Sequence, residues 1–173
     1  MVHKLFQRLI GLPCWHVAWD PQTNLSLNFG RPRLVVREPI SSRGRSPKVR
    51  QLLAHRRVSV RGDWWLWIWC AYWKVSTRGL APVTGASPRR AIRAALALLD
   101  GQRLTGVVVN AANGRTEFCF DLGARLDVRR FDARCDGDMW TLYEPNSRAL
   151  AVRGDGHFTH EKASRPARYR PLK

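Results

Sequence analysis

Acidic residues are scarce in this chain. Thirteen Asp and Glu stand against 30 Lys and Arg among 173 residues, a formal charge of +17 with a pI near 11.3. A surplus of this size repels itself unless something anionic lies close. The partners it points to are nucleic acid, an acidic protein or an anionic membrane surface. Twenty-five of the thirty cations are Arg; a coding preference for Arg over Lys accounts for that ratio but not for the missing acids. Long apolar runs are absent too. No segment approaches about 18 uninterrupted apolar residues, which excludes a membrane-spanning helix. The short, broken run in MVHKLFQRLIGLPCWHV argues against a signal peptide. The four cysteines, Cys14, Cys70, Cys119 and Cys135, have no CxxC spacing and mostly sit in apolar, strand-like runs. That pattern predicts reduced, mostly buried thiols and a cytoplasmic setting.

Catalytic signatures are missing as well: there is no GxSxG, GxxxxGK[ST], HExxH or GxGxxG. The close ligand pairs Cys14-x-His16 and His157-x-x-His160 fall short of the four convergent ligands that structural zinc needs. The chain is therefore expected to be no enzyme and to carry no metal or cofactor. A scattered active site would have to bring together groups such as His16, His55, Asp121 and Asp127.

Tryptophan, by contrast, is concentrated. Five of eight fall between Trp64 and Trp73, inside RVSVRGDWWLWIWCAYWKVS, residues 57–76. Bulky aromatic and β-branched side chains favour extended backbone, as one long central strand or a tight pair. As a single strand, the stretch puts Trp65, Trp67, Trp69 and Trp73 on one face and Trp64, Leu66, Ile68 and Tyr72 on the other.

Around this stretch the chain alternates helix and strand signals. A helix is expected over 3–10, ending at Gly11, then strands at 14–19, 25–29 and 33–38 joined by short turns. Ser46-Pro47 caps a short helix with Val49, Leu52 and Leu53 inward. Ser87-Pro88 opens the clearest helix, 88–99, with Ile92, Ala95, Leu96 and Leu99 on one face. Five short strand-like runs follow. Segments match between the halves: Leu9-Ile10-Gly11 with Leu99-Asp100-Gly101, Leu34-Val35-Val36-Arg37 with Leu126-Asp127-Val128-Arg129, and Gly62-Asp63-Trp64-Trp65 with Gly137-Asp138-Met139-Trp140. The fold expected is α+β, a duplicated helix-plus-antiparallel-β-meander unit whose copies share a Trp-rich β core. The units are 1–77, with a basic insertion at 39–57, and 87–156. They are joined by a linker at 78–86 and followed by a basic flexible tail, 157–173.

The insertion is the leading candidate site. Arg43, Arg45, Lys48, Arg50, Arg56 and Arg57 fall within fifteen residues that hold no acid, and Arg31, Arg33 and Arg37 precede them. Arg offers a planar fork to phosphate or carboxylate. Arg89, Arg90 and Arg93 open the main helix, where cations oppose the macrodipole unless an anion docks. Trp65, Trp67 and Trp69 are candidate partner-groove aromatics. The expected function is non-enzymatic binding of nucleic-acid phosphates. The alternative is an immunity- or adaptor-type module whose basic face covers an acidic protein.

Overall fold

The structure, a computed structural model, describes residues 2–20, 24–41, 44, 46–132 and 137–173. In chain order the elements are α1 (Val2–Phe6), β1 (Cys14–Asp20), β2 (Asn24–Arg37), α2 (Pro47–Leu53), β3 (Arg57–Ile68), β4 (Ala71–Ser76), β5 (Val83–Thr84), α3 (Arg89–Leu99), β6 (Leu104–Val109), β7 (Thr116–Phe120), β8 (Arg125–Arg130), β9 (Asp138–Tyr143), β10 (Arg148–Arg153), β11 (His157–Lys162) and β12 (Arg170–Pro171). They form two antiparallel sheets, β1-β2-β3-β9-β10-β11-β12 and β5-β4-β8-β7-β6. Few helices beside two antiparallel sheets make the fold α+β. No helix among the described residues is long and apolar enough to cross a membrane.

The alternation of β3 sets how the sheets meet. Trp64, Leu66 and Ile68 point inward and are buried, with Leu66 opposite Leu142 and Ile68 opposite Trp140 of β9. Trp140 is fully buried and packs edge-on against Phe6 of α1 and Phe118 of β7. Its indole N–H donates to the Thr116 hydroxyl at 2.9 Å, so the one polar atom of the ring is satisfied inside the core. α3 lies against β1, β4 and β5. It buries Ile92, Ala95, Leu96 and Leu99 as its i, i+3, i+4, i+7 spacing requires.

The helix end also fixes Cys14. Its thiol is fully buried, donates to the Leu99 carbonyl at 3.2 Å, and is pushed up to about 12 by burial and then by the Asp100 carboxylate. Thiolate is the reactive species, so Cys14 is expected to resist a disulfide reagent at pH 8 in the native state. It should react only on unfolding, which a thiol-release assay with and without urea measures. Native reaction of Cys14 would mean that its burial is wrong.

Several expectations need correction. The runs 25–29 and 33–38 are not two strands joined by a turn but one strand, Asn24–Arg37. Gly30, at φ +78°, absorbs an irregularity in the β2–β3 register as a bulge. Two side chains stitch that bulge to β3: Asn28 Oδ1 accepts the Gly62 N–H and Asp63 Oδ2 accepts the Arg31 N–H, both at 2.9 Å. A Cβ on Gly62 would meet the Phe29 carbonyl, so the close approach requires glycine there. The matching segments of the second half instead fold as two strands, β7 and β8, around a turn. The two halves therefore differ in this connection, a bulge within one strand against a turn between two. Trp73 does not join the face of Trp65, because the chain changes sheet between Ile68 and Ala71 and buries Trp73 within the core.

The helix over 3–10 shortens to Val2–Phe6, and Val49 and Leu52 of α2 are exposed rather than inward. The 78–86 linker contains β5, paired with β4. The expected tail, 157–173, holds β11 and β12. Phe158 is buried opposite Val152, and His160 bonds to the buried carboxylate of Glu144, so a polar-looking segment completes the large sheet. Cys70 is disulfide-bonded. The expectation of four reduced thiols is overturned, and with it the ground for a reducing compartment.

Candidate functional site

β2 and β3 outrun their neighbours. β1 pairs with β2 only between Asn24 and Phe29, and β9 pairs with β3 only between Trp65 and Ile68. Beyond them the registers Pro32↔Gly62 through Arg37↔Arg57 form a two-stranded arm, about 18 Å long at the usual rise per residue. No other strand among the described residues pairs with it. Alternation gives the arm two unlike faces. Leu34↔Val60 and Val36↔Val58 make one face apolar, all four side chains being exposed. Arg33↔Arg61 and Arg37↔Arg57 place two pairs of arginines at facing positions on the other.

The cationic face runs on into the outer face of the sheet. There Arg61 lies 3.5 Å over the Trp65 ring, which stacks on Tyr143 at 4.9 Å and on Trp67 at 5.8 Å. Trp67 stacks in turn on Trp69 at 5.3 Å. Burial and the neighbouring Arg57 lower Arg61 from its usual value. The rings are stacked on one another, so they form a column rather than an open row of faces. A groove of about 510 Å³ runs beside this column, with Arg57, Arg61, Trp65 and Trp67 on one side and Asn24 and Ser26 toward β1. Trp19 also lines a second groove, of about 330 Å³, that reaches Arg89 and Arg93 on α3. The indole N–H groups of Trp19 and Trp65 are buried and have no partner.

The residues singled out in the sequence are distributed as follows. Arg57 joins Trp65 and Trp67 in the first groove, and Arg89 and Arg93 line the second, while Arg90 is exposed outside it. Trp69 ends the column, 37% exposed. Lys48 and Arg50 stand exposed on α2 at the far end of the arm, and Arg56 is bound by Glu38 at 2.9 Å. Arg43 and Arg45 lie outside the described residues. Arg33, Arg37 and Arg61 complete the cationic row. Their signal was in the sequence as the matched spacings Arg33-x-x-x-Arg37 and Arg57-x-x-x-Arg61, which put all four on one face once the strands pair. Trp19 and Tyr143 gave no such signal.

The four titratable groups named from the sequence have separate partners. His16 lines the first groove, Asp127 is held by Arg115 at 2.7 Å, Asp121 accepts the Arg103 N–H, and the backbone of His55 accepts from Arg37. Among the described residues no three His, Cys, Asp or Glu side chains group as metal ligands. A larger apolar cavity of about 770 Å³, between α1, β6 and β12, shares no lining residue with the grooves. No protein-family model matches the chain, and comparison with curated proteins and with solved structures finds no match.

Proposed function

We propose that this is a non-enzymatic nucleic-acid-binding protein whose arm holds phosphates along Arg33, Arg37, Arg57 and Arg61. The observation that carries the reading is the pair of like-charge registers, Arg33↔Arg61 and Arg37↔Arg57. Like charges directly opposite on a ribbon destabilise it by roughly 0.2–1 kcal/mol per pair. A phosphate between each pair turns that repulsion into two charge-assisted contacts, for which the guanidinium fork is shaped. Lys48 and Arg50 add cations toward the end of the arm. Contacts to phosphates position the backbone and do not by themselves read sequence.

Fluorescence anisotropy with labelled oligonucleotides across a salt series tests the reading. Two phosphates of a single strand, one between each pair, give log K a slope of about −1.4 against log salt. A flat salt dependence, or no binding at physiological salt, removes the proposal. An immunity- or adaptor-type module for an acidic protein is the second reading, and one observation favours it. Leu34, Val36, Val58 and Val60 expose an apolar row on the arm's other face, and such patches mark protein contacts.

A further inference from the structure

We propose that the arm's ligand is a single strand of nucleic acid, and that it continues from Arg57 and Arg61 along the first groove, past Trp19 at the β1 edge, to Arg89 and Arg93 on α3. This rests on the nucleic-acid reading of the arm and names both the strandedness and the far end of the site. The two grooves share Trp19 as a common wall. Cations line both grooves, and hydrogen-bonding side chains, Asn24 and Ser26, line the first.

The shape decides the strandedness. The path leaves the outer face of the large sheet and passes the edge strand β1 to reach a helix that packs against that strand. Duplex DNA, with a persistence length of about 150 base pairs, does not turn a sheet edge within a few nucleotides. A single strand does, and grooves of about 510 and 330 Å³ are sized for one chain.

The far end has its own physical support. Arg89 and Arg93 are one turn apart on one face of α3, in its first turns, where cations oppose the helix dipole. A phosphate there reverses the sign of that cost. Two carboxylates line the path, Asp20 in the first groove and Asp100 in the second, where Asp100 Oδ2 accepts the Val17 N–H at 3.1 Å.

The test compares wild type with the R89E/R93E double variant on single-stranded DNA and RNA graded in length from about 4 to 16 nucleotides, and on a matched duplex. Acidic residues in the first turn favour the helix, so the variant's melting temperature should hold or rise. Wild type should prefer the single strand over the duplex by about 10-fold and gain affinity with length to a plateau. In the variant the gain should vanish, with long strands losing roughly 10-fold, short ones unchanged, and the salt slope shallower by about 1.4. Identical length curves for the two proteins, or duplex preference in wild type, would overturn the path while leaving phosphate binding by the arm in place. Absence of binding by wild type at every length sinks the arm reading itself. A difference between DNA and RNA, within the expected pattern, supports the path and shows whether the 2′-hydroxyl is recognised along it.

Discussion

Replacing Trp140 by Ala should cost roughly 3–5 kcal/mol of folding free energy, the range for truncating a fully buried aromatic. The ring is the meeting point of three elements, packed edge-on to Phe6 and Phe118 with centroids 5.7 and 6.0 Å away. Removing it opens a cavity between the sheets and deprives the Thr116 hydroxyl of its donor, though that hydroxyl keeps its own bond to the Gly114 carbonyl at 2.8 Å. For a chain of this size the melting temperature should fall by roughly 10–15 °C. Trp140→Phe keeps most of the volume and should lose much less. Urea unfolding of both variants checks this, and equal, small losses would mean that Trp140 is not the hinge of the packing.

The second large effect is a trade between stability and binding. In the R33E/R57E double variant each like-charge register of the arm becomes an opposite-charge one, so the ribbon should gain up to about 1 kcal/mol per pair where it now loses a similar amount. Arg33 and Arg57 are the members of the two pairs to change, because both are exposed. The other two have structural partners: Arg37 donates to the carbonyls of Leu52 and His55, and Arg61 stacks on Trp65. Binding should move the other way. Losing two charge-assisted phosphate contacts, at about 1.5 kcal/mol each, weakens affinity by roughly 100-fold. A protein that becomes more stable as it loses its ligand is what a site bearing unneutralised charge predicts.

The parts of this fold that follow local periodicity were legible in the sequence. α3 was announced by Ser87-Pro88 and by Ile92, Ala95, Leu96 and Leu99 at helical spacing, and β1 and the inward set Trp64, Leu66 and Ile68 by strand alternation. What depends on distant pairing was not. Gly30 looked like the end of a strand, because nothing local shows that Asn28 and Asp63 tie it to β3 as a bulge. Residues 157–162 looked like a tail because their polar side chains find partners, such as Glu144 for His160, only after β10 and β11 pair.

The same limit applied to the site. The six cations of the insertion were visible as a cluster, but charge density alone did not show that Arg56 would be tied by Glu38. Nor did it show that Arg33, Arg37 and Arg61 would align with Arg57 across the ribbon. Trp65, Trp67 and Trp69 were recognisable as one face. That they would stack on each other, with Arg61 over Trp65, follows from their neighbours along one strand and from Tyr143 on the next.

The most direct test sets R33E/R57E beside R165E/R168E, a control that changes two exposed cations away from the arm and lowers the formal charge of +17 by the same amount. Both proteins would be titrated with one labelled single-stranded oligonucleotide at physiological salt, and both melted in the same buffer. The arm variant should bind roughly 100-fold more weakly than wild type and melt at least as high, with the control losing only a few-fold. Equal losses in the two variants would contradict the account, reducing the interaction to the general attraction of a strongly basic chain.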